Sequence, residues 1–300
     1  MKDKILIGVD FGGTKILTGA MSEKGEILCE PVKIPTNSNG EPEKIINSIT
    51  DSIELIVKRL GSRVSDVYGI GMGVTGPLDI KNGTILECPQ LPTLHFFPLR
   101  QTIHDYFGLP VFMNNDANCL IYGETLFGSG IGKNNVVGFT LGTGLGCAII
   151  IDRKILNGFT ESAGEIWPSP YLTGTIEDFV SGAGVSKIYK EISESGSIAS
   201  QEKSALEIAL MAENGDANAL ITWEEFGNHL AAAISWSINL IDPEIIILGG
   251  SITNAFKFFS SSLEKNLRKH ICPVPAEMTK IEIAKLGANA GFIGAASLAL

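Results

Sequence analysis

Two stretches of this 300-residue chain share one pattern, and that repetition limits its fold more than any other feature. Residues 4–22, KILIGVDFGGTKILTGAMS, run from an apolar strand through Asp10 and a Gly12-Gly13-Thr14 turn into a second apolar strand. Residues 136–151 do the same, with VVGFTL, the turn Gly142-Thr143-Gly144-Leu145-Gly146, and CAIII. A strand, Gly-Thr turn and strand at the head of each of two α/β halves predict an internal duplication, with two phosphate-binding turns facing each other across a cleft. Glycines lack a Cβ, so backbone N–H groups can approach phosphoryl oxygens, with the Thr14 hydroxyl beside them. Asp10 would repel a phosphate unless a divalent cation lay between, which points to Mg²⁺ carried in by a nucleotide. Lys15 is a candidate for close-range charge compensation.

The chain is long enough for two α/β lobes, and 44% hydrophobic with 19% charged residues fits a well-buried globular enzyme. A formal charge of −10, with no Lys/Arg run to offset it, argues against nucleic acid and anionic membrane as partners. The N-terminal run is too short and too strand-like for a signal peptide. The longest mostly apolar stretch, 136–151, is broken by Thr140, Thr143 and four glycines and falls short of a bilayer span. A soluble, cytoplasmic protein is expected. Five widely spaced cysteines (29, 88, 119, 147 and 272) without a C-x-x-C read as reduced core or near-core thiols.

Hydrophobic periodicity predicts strands at about 4–10, 15–22 and 27–34, then a helix from Pro42 to Leu60 with Ile46, Ile49, Ile53, Ile56 and Leu60 on one face. Strand 67–74, a helix near 98–107, strand 110–113 and a helix over 117–127 complete a β-β-β-α-β-α-β-α order, which restarts at 136. Helices are expected at about 176–194, 200–213 and 216–240, before a strand at 244–248 meets Gly249-Gly250-Ser251. A Gly-Gly turn there would let adenine and ribose lie against backbone. The expected division is an N-terminal lobe of residues 1–116, completed by a C-terminal helix at about 287–300, and a C-terminal lobe of residues 117–286.

The ordered set D-F-G-G-T-K, G-V-T-G-P-L-D (73–79), N-D-A-N-C (115–119), L-G-T-G-L-G (141–146), A-G-E (163–165) and I-L-G-G-S (247–251) resembles the ROK family of bacterial sugar kinases and repressors. That family lies within the actin-like/hexokinase ATPase superfold, a two-lobed α/β (ribonuclease H-like) architecture. The resemblance implies ATP and Mg²⁺ in the interlobe cleft, with Asp10 near the metal, Gly12, Gly13, Thr14, Gly142, Thr143 and Gly144 around the phosphates, and Gly249 and Gly250 near the adenosine. It also implies a sugar held by Gly76, Asn115, Asp116, Glu165 and Glu177, the last through E-D-F-V-S-G (177–182). A homodimer is implied as well.

Asp116 suits the chemistry, because phosphoryl transfer needs a hydroxyl held in line and a base for its proton. A carboxylate there would also cap a helix starting at Ala117, and the two roles are compatible. Glu165 and Glu177 suit vicinal hydroxyls, since a carboxylate accepts two O–H hydrogen bonds at fixed angles. The chain departs from the family where most members carry G-E-x-G-H and a cysteine cluster forming a zinc site. Here the stretch reads Gly164-Glu165-Ile166-Trp167-Pro168, with neither His nor Cys between Ile151 and Gly184, so no zinc is expected. The missing His also touches the sugar in the family, which leaves glucose, fructose, N-acetylmannosamine and N-acetylglucosamine open as substrates. ROK repressors carry an N-terminal DNA-reading domain, for which the early first hairpin leaves no room. A non-catalytic sugar sensor, a slow actin-like ATPase and a polyphosphate-dependent kinase are the remaining alternatives.

Overall fold

A computed structural model describes residues 4–194 and 203–300. They cluster into two compact units: one of residues up to Gly132 with Arg153–Ala163 and Ala284–Leu300, the other of Lys133–Asp152 and Gly164–Ile283.

In the first unit five strands lie in the order Val32–Pro35, Lys15–Ser22, Ile5–Phe11, Val67–Val74 and Val111–Asn115. The first three are antiparallel neighbours and the last three run parallel. Alternation along a strand sends successive side chains to opposite faces. Ile5, Ile7, Val9 and Phe11 therefore join a cluster with Ile45, Ile49, Ile53 and Ile56 of the helix Pro42–Arg59, while Leu6 packs with Leu17, Met21 and Phe292 on the other face. The helix Ala290–Ser297 lies so close to that second face that a Cβ at Gly8 would overlap the Phe292 carbonyl oxygen, and one at Gly71 that of Ala295.

The helix Asp116–Phe127 packs on Ala290–Ser297 in the same way, with Gly123 and Gly294 back to back. Buried Glu124 reinforces the join by accepting hydrogen bonds from the Leu286 and Ser129 amides, at 2.7 and 2.9 Å. Contacts of this density keep Asp116–Phe127 within the first unit, so the chain does not divide after residue 116. No short spacing signals this, because the helix's partner is the far end of the chain.

Four strands of the second unit follow the order Leu145–Ile151, Val136–Leu141, Ile245–Gly249 and Lys280–Ile283. The first pair is antiparallel and the rest parallel, so Val136–Leu141 holds the place that Ile5–Phe11 holds in the other sheet. This repeat is the duplicated α/β order of the actin-like fold. Three helices, Gly182–Glu194, Ala205–Glu213 and Ala217–Ile241, stand between the second hairpin and its next strand. They and Phe256–His270 bury a core in which Trp223 stacks on Phe259 at 5.9 Å and Phe226 meets Phe259 at 5.1 Å.

Two helices start later than periodicity suggests. The one expected from 176 begins at Gly182, because Asp178 accepts from the Thr175 amide and hydroxyl and holds the preceding residues in turns. The one expected from 200 begins at Ala205 behind a Ser204–Glu207 capping box; residues 200–202 lie outside the described residues. Cysteines 88, 119 and 147 are buried and all five are free, but Cys272 is exposed ahead of the short helix Pro273–Met278 rather than near the core. Among the described residues no helix is long and apolar enough to cross a membrane.

Candidate active site

The strand register of the first unit gathers its candidate residues at one edge. Asp10 lies opposite Gly73, and Val74 lies opposite both Phe11 and Asn115, so three parallel strands end together. Ligands in open α/β sheets bind outside such carboxyl ends. A Cβ at Gly73 would stand 3.1 Å from the Cys119 Sγ and 3.6 Å from the Asp116 Cα; this glycine is what lets the helix carrying Asp116 close onto the strand beside Asp10. Gly76, in the turn after that strand, faces the Asn115 side-chain Nδ2 at 3.3 Å from where its Cβ would be.

Asn115, and not Asp116, is the N-cap of Asp116–Phe127: its Oδ1 accepts from the Ala117 amide at 2.9 Å and the Asn118 amide at 3.4 Å. Asp116 occupies the first helical position, where its Oδ1 also accepts from Ala117 at 2.8 Å. The helix dipole favours an anion there. Behind them sits an amide network that sequence reading missed. Buried Asn114 accepts from the Asn115 amide (2.8 Å) and the Asn118 side chain (2.9 Å), and donates to Asn157 (3.0 Å). Glu161 accepts from the amides of Ile80 and Lys81, which fixes the turn that follows Gly76.

The first Gly turn is braced from two sides. The Thr36 hydroxyl donates to the Gly12 carbonyl at 2.6 Å, and the Thr36 amide donates to Thr14 at 3.0 Å. A Cβ at Gly13 would stand 2.8 Å from the Gln90 Cβ. Thr14 is exposed at the tip, and Lys15 Nζ stands 4.0 Å from Asp10 Oδ2. Burial raises the Asp10 carboxyl above the usual carboxylate range, partly offset by Lys15. Burial also lifts the Cys119 thiol, and the charges of Asp116 and Asp10 push it the same way. A carboxylate short of positive charge suits a cation.

The second unit gathers the others. Thr143 is exposed at its turn as Thr14 is at the first. Glu177 Oε2 accepts from the Leu145 amide at 2.8 Å and would stand 2.6 Å from a Cβ at Gly144. The Gly142 carbonyl accepts from Gly182 at 2.8 Å, so the start of the helix Gly182–Glu194 anchors the turn. Gly250, at φ 91°, presses on the Leu141 carbonyl and brings the Gly249–Gly250 corner beside Gly142. Glu165 is exposed and accepts from Trp167 Nε1 at 2.6 Å. Burial, with the Glu165 charge added, pushes the Cys147 thiol up to about 12.

None of Gly12, Gly13, Gly142 and Gly144 has a positive φ. Left-handed backbone is therefore not what these glycines supply: Gly13 and Gly144 leave room for Gln90 and Glu177, while a Cβ at Gly12 or Gly142 would meet no close neighbour among the described residues.

The sequence pattern of the ROK family matches residues 6–300, a span that holds every candidate site residue. The chain belongs to the ROK family. This ROK protein is 30% identical to the glucokinase of Halalkalibacterium halodurans over 98% of its own length and 94% of the relative's. It is 29% identical to the N-acetyl-D-glucosamine kinase of Photobacterium profundum over 97% of its length and 98% of the relative's. The crystal structure of a ROK family glucokinase from Streptomyces griseus, in complex with glucose and AMPPNP, superposes with a TM-score of 0.81 at 29% identity, covering 98% of each chain.

Proposed function

We propose that this ROK protein transfers the γ-phosphoryl group of ATP to a hydroxyl of a hexose. The observation that carries the proposal is the convergence of Asp10 and Asp116 on Gly73, at the carboxyl ends of parallel strands. One acid there suits the cation and the other the base. The sugar oxygen attacks the γ-phosphorus, the bond to the ADP oxygen breaks, and the hydroxyl proton passes to the Asp116 carboxylate. Mg²⁺ arriving with the nucleotide would neutralise phosphate charge at Asp10.

Gly12–Thr14 and Gly142–Gly144 offer amides to the phosphates, with Lys15 as an added charge, and Gly249–Gly250 a flat backbone to the nucleoside. Gly76, Asn115, Glu165 and Glu177 are the proposed sugar contacts. Glu177 keeps one oxygen on Leu145, so a hydroxyl bound to the other would couple sugar to phosphate turn. The segment 151–184 has no imidazole or thiolate, and we propose that it holds no structural zinc; stoichiometric zinc in a metal assay would overturn this.

Likeness to glucokinases favours glucose, and likeness to N-acetylglucosamine kinases supports a 2-acetamido sugar as the second reading. A panel of hexoses and N-acetyl hexosamines with ATP-Mg²⁺, scored by ADP formation, tests both. Sugar-dependent ADP from at least one is expected, and its absence from all would refute the proposal.

A further inference from the structure

We infer that Trp167 is a sugar-specificity residue, whose ring covers the apolar face of a pyranose while its N–H orients Glu165. The inference rests on the hexose-kinase reading and deepens it. Trp167 is tied to both glutamates proposed for the sugar. Its Nε1 donates to Glu165 Oε2 at 2.6 Å, and its carbonyl accepts from the Glu177 amide at 3.4 Å.

The segment around Trp167 is rigid. Gly164 sits at φ 91° against the Cys147 carbonyl, where a Cβ would overlap it. The Ser169 amide then donates to Ile166 at 2.9 Å, and the Ile176 amide to Ser169 at 3.0 Å, closing a turn that leads into the Pro170–Tyr171 and Gly174–Thr175 strand pair. Within this brace Trp167 is nonetheless 43% exposed. Large aromatic rings in rigid turns are ordinarily covered, and an exposed ring locked to a carboxylate is a surface prepared for a ligand.

The chemistry matches a pyranose. The C–H groups on one face of the ring are weakly positive and suit the negative face of an indole, while the hydroxyls at the ring edge suit the adjoining carboxylate. A flat platform of this kind favours a chair-form hexose over a furanose or a linear polyol. Committing Glu165 Oε2 to the indole fixes the direction in which the carboxylate meets a hydroxyl, so Trp167 acts by contact and by positioning.

The test uses the full chain in the forms Trp167→Phe and Trp167→Ala. Of its three tryptophans, Trp223 is 1% exposed and Trp236 is part-buried against Tyr171, so the contribution of Trp167 is read as the difference between wild type and Trp167→Phe in intrinsic fluorescence titrated with each hexose, without nucleotide. The wild type is expected to show a saturable change that Trp167→Phe loses. In the kinase assay Trp167→Phe should raise hexose KM roughly 10-fold, as removal of a hydrogen bond to a charged group does, with a smaller effect on kcat and none on the ATP KM. Trp167→Ala should raise it further, to roughly 100-fold. Wild-type hexose KM in both variants, or an unchanged fluorescence response in Trp167→Phe, overturns the inference and leaves the kinase reading standing. A hexose response lost in Trp167→Phe, with no ADP formed by the wild type, keeps the inference and removes the kinase. No response and no ADP removes both.

Discussion

The two Gly turns look alike in sequence and are built differently. The first, Gly12–Thr14, is held by neighbours at close quarters, with Thr36 on its carbonyls and Gln90 against Gly13. The second, Gly142–Gly144, is held at its ends by the Gly182 amide and the Glu177 carboxylate, and a Cβ at Gly142 would meet nothing within 4 Å among the described residues. A glycine required by the fold has a neighbour where its Cβ would be. One with open space there is free for a ligand, so the second turn carries the plainer mark of binding and the first the plainer mark of architecture. The acids differ too: Asp10 and Asp116 belong to the first unit, and Glu177 is the acid bonded to the second turn.

If that division is right, chemistry fails first on the side of the acids. Asp116→Asn should fold normally and lose about 10²–10⁴-fold in kcat, or roughly 3–5 kcal/mol of barrier. A near-normal rate would remove Asp116 from the mechanism. Asp10→Asn should cost about 10²-fold in turnover and raise the Mg²⁺ requirement, while its thermal midpoint at neutral pH rises. The sign follows from linkage. Burial raises the Asp10 pKa, so the folded state binds the proton more tightly and stability falls as pH rises through the raised value. The amide removes that penalty, and unfolding midpoints that fall equally with pH in both proteins between acid and neutral would contradict it.

The turns themselves give the sharper comparison. Gly142→Ala should leave stability within about 0.5 kcal/mol and raise the ATP KM roughly 10-fold, because the new methyl enters open space. Gly144→Ala pushes on the Glu177 carboxylate and should lose about 1–2 kcal/mol of stability as well, with a higher hexose KM. Equal nucleotide effects and equal stability in the two variants would erase the distinction drawn here. The smallest effect is expected of Thr36→Val, which removes the hydroxyl that bonds Gly12 and should lower stability by about 1 kcal/mol in denaturant melts.

Much of the scaffold could be read from residue order. The helix Pro42–Arg59 starts on its proline and buries the isoleucines spaced for one face, and Ala217–Ile241 begins behind Asp216, whose side chain caps it. Local rules decide such elements, so local sequence reveals them. The site was legible as motifs but not as contacts. Asn115 rather than Asp116 caps the helix, Glu177 reaches back 32 residues to Leu145, and Asn157 lies 43 residues beyond Asn114. Gln90, Thr36 and Trp167 belong to no repeated pattern, and they meet Gly13, Gly12 and Glu165 through contacts that no motif spacing marks.

Sequence alone determined the duplicated strand–turn–strand plan, the family, and the set of acids and glycines available for phosphoryl transfer, because these depend on residue type and short spacing. Only the tertiary structure decided which glycine answers to a neighbour and which to open space, which amide caps the helix of Asp116, and that this helix stays with the first unit. Those depend on backbones meeting from far apart in the chain, at distances set by packing between whole elements that no short spacing encodes.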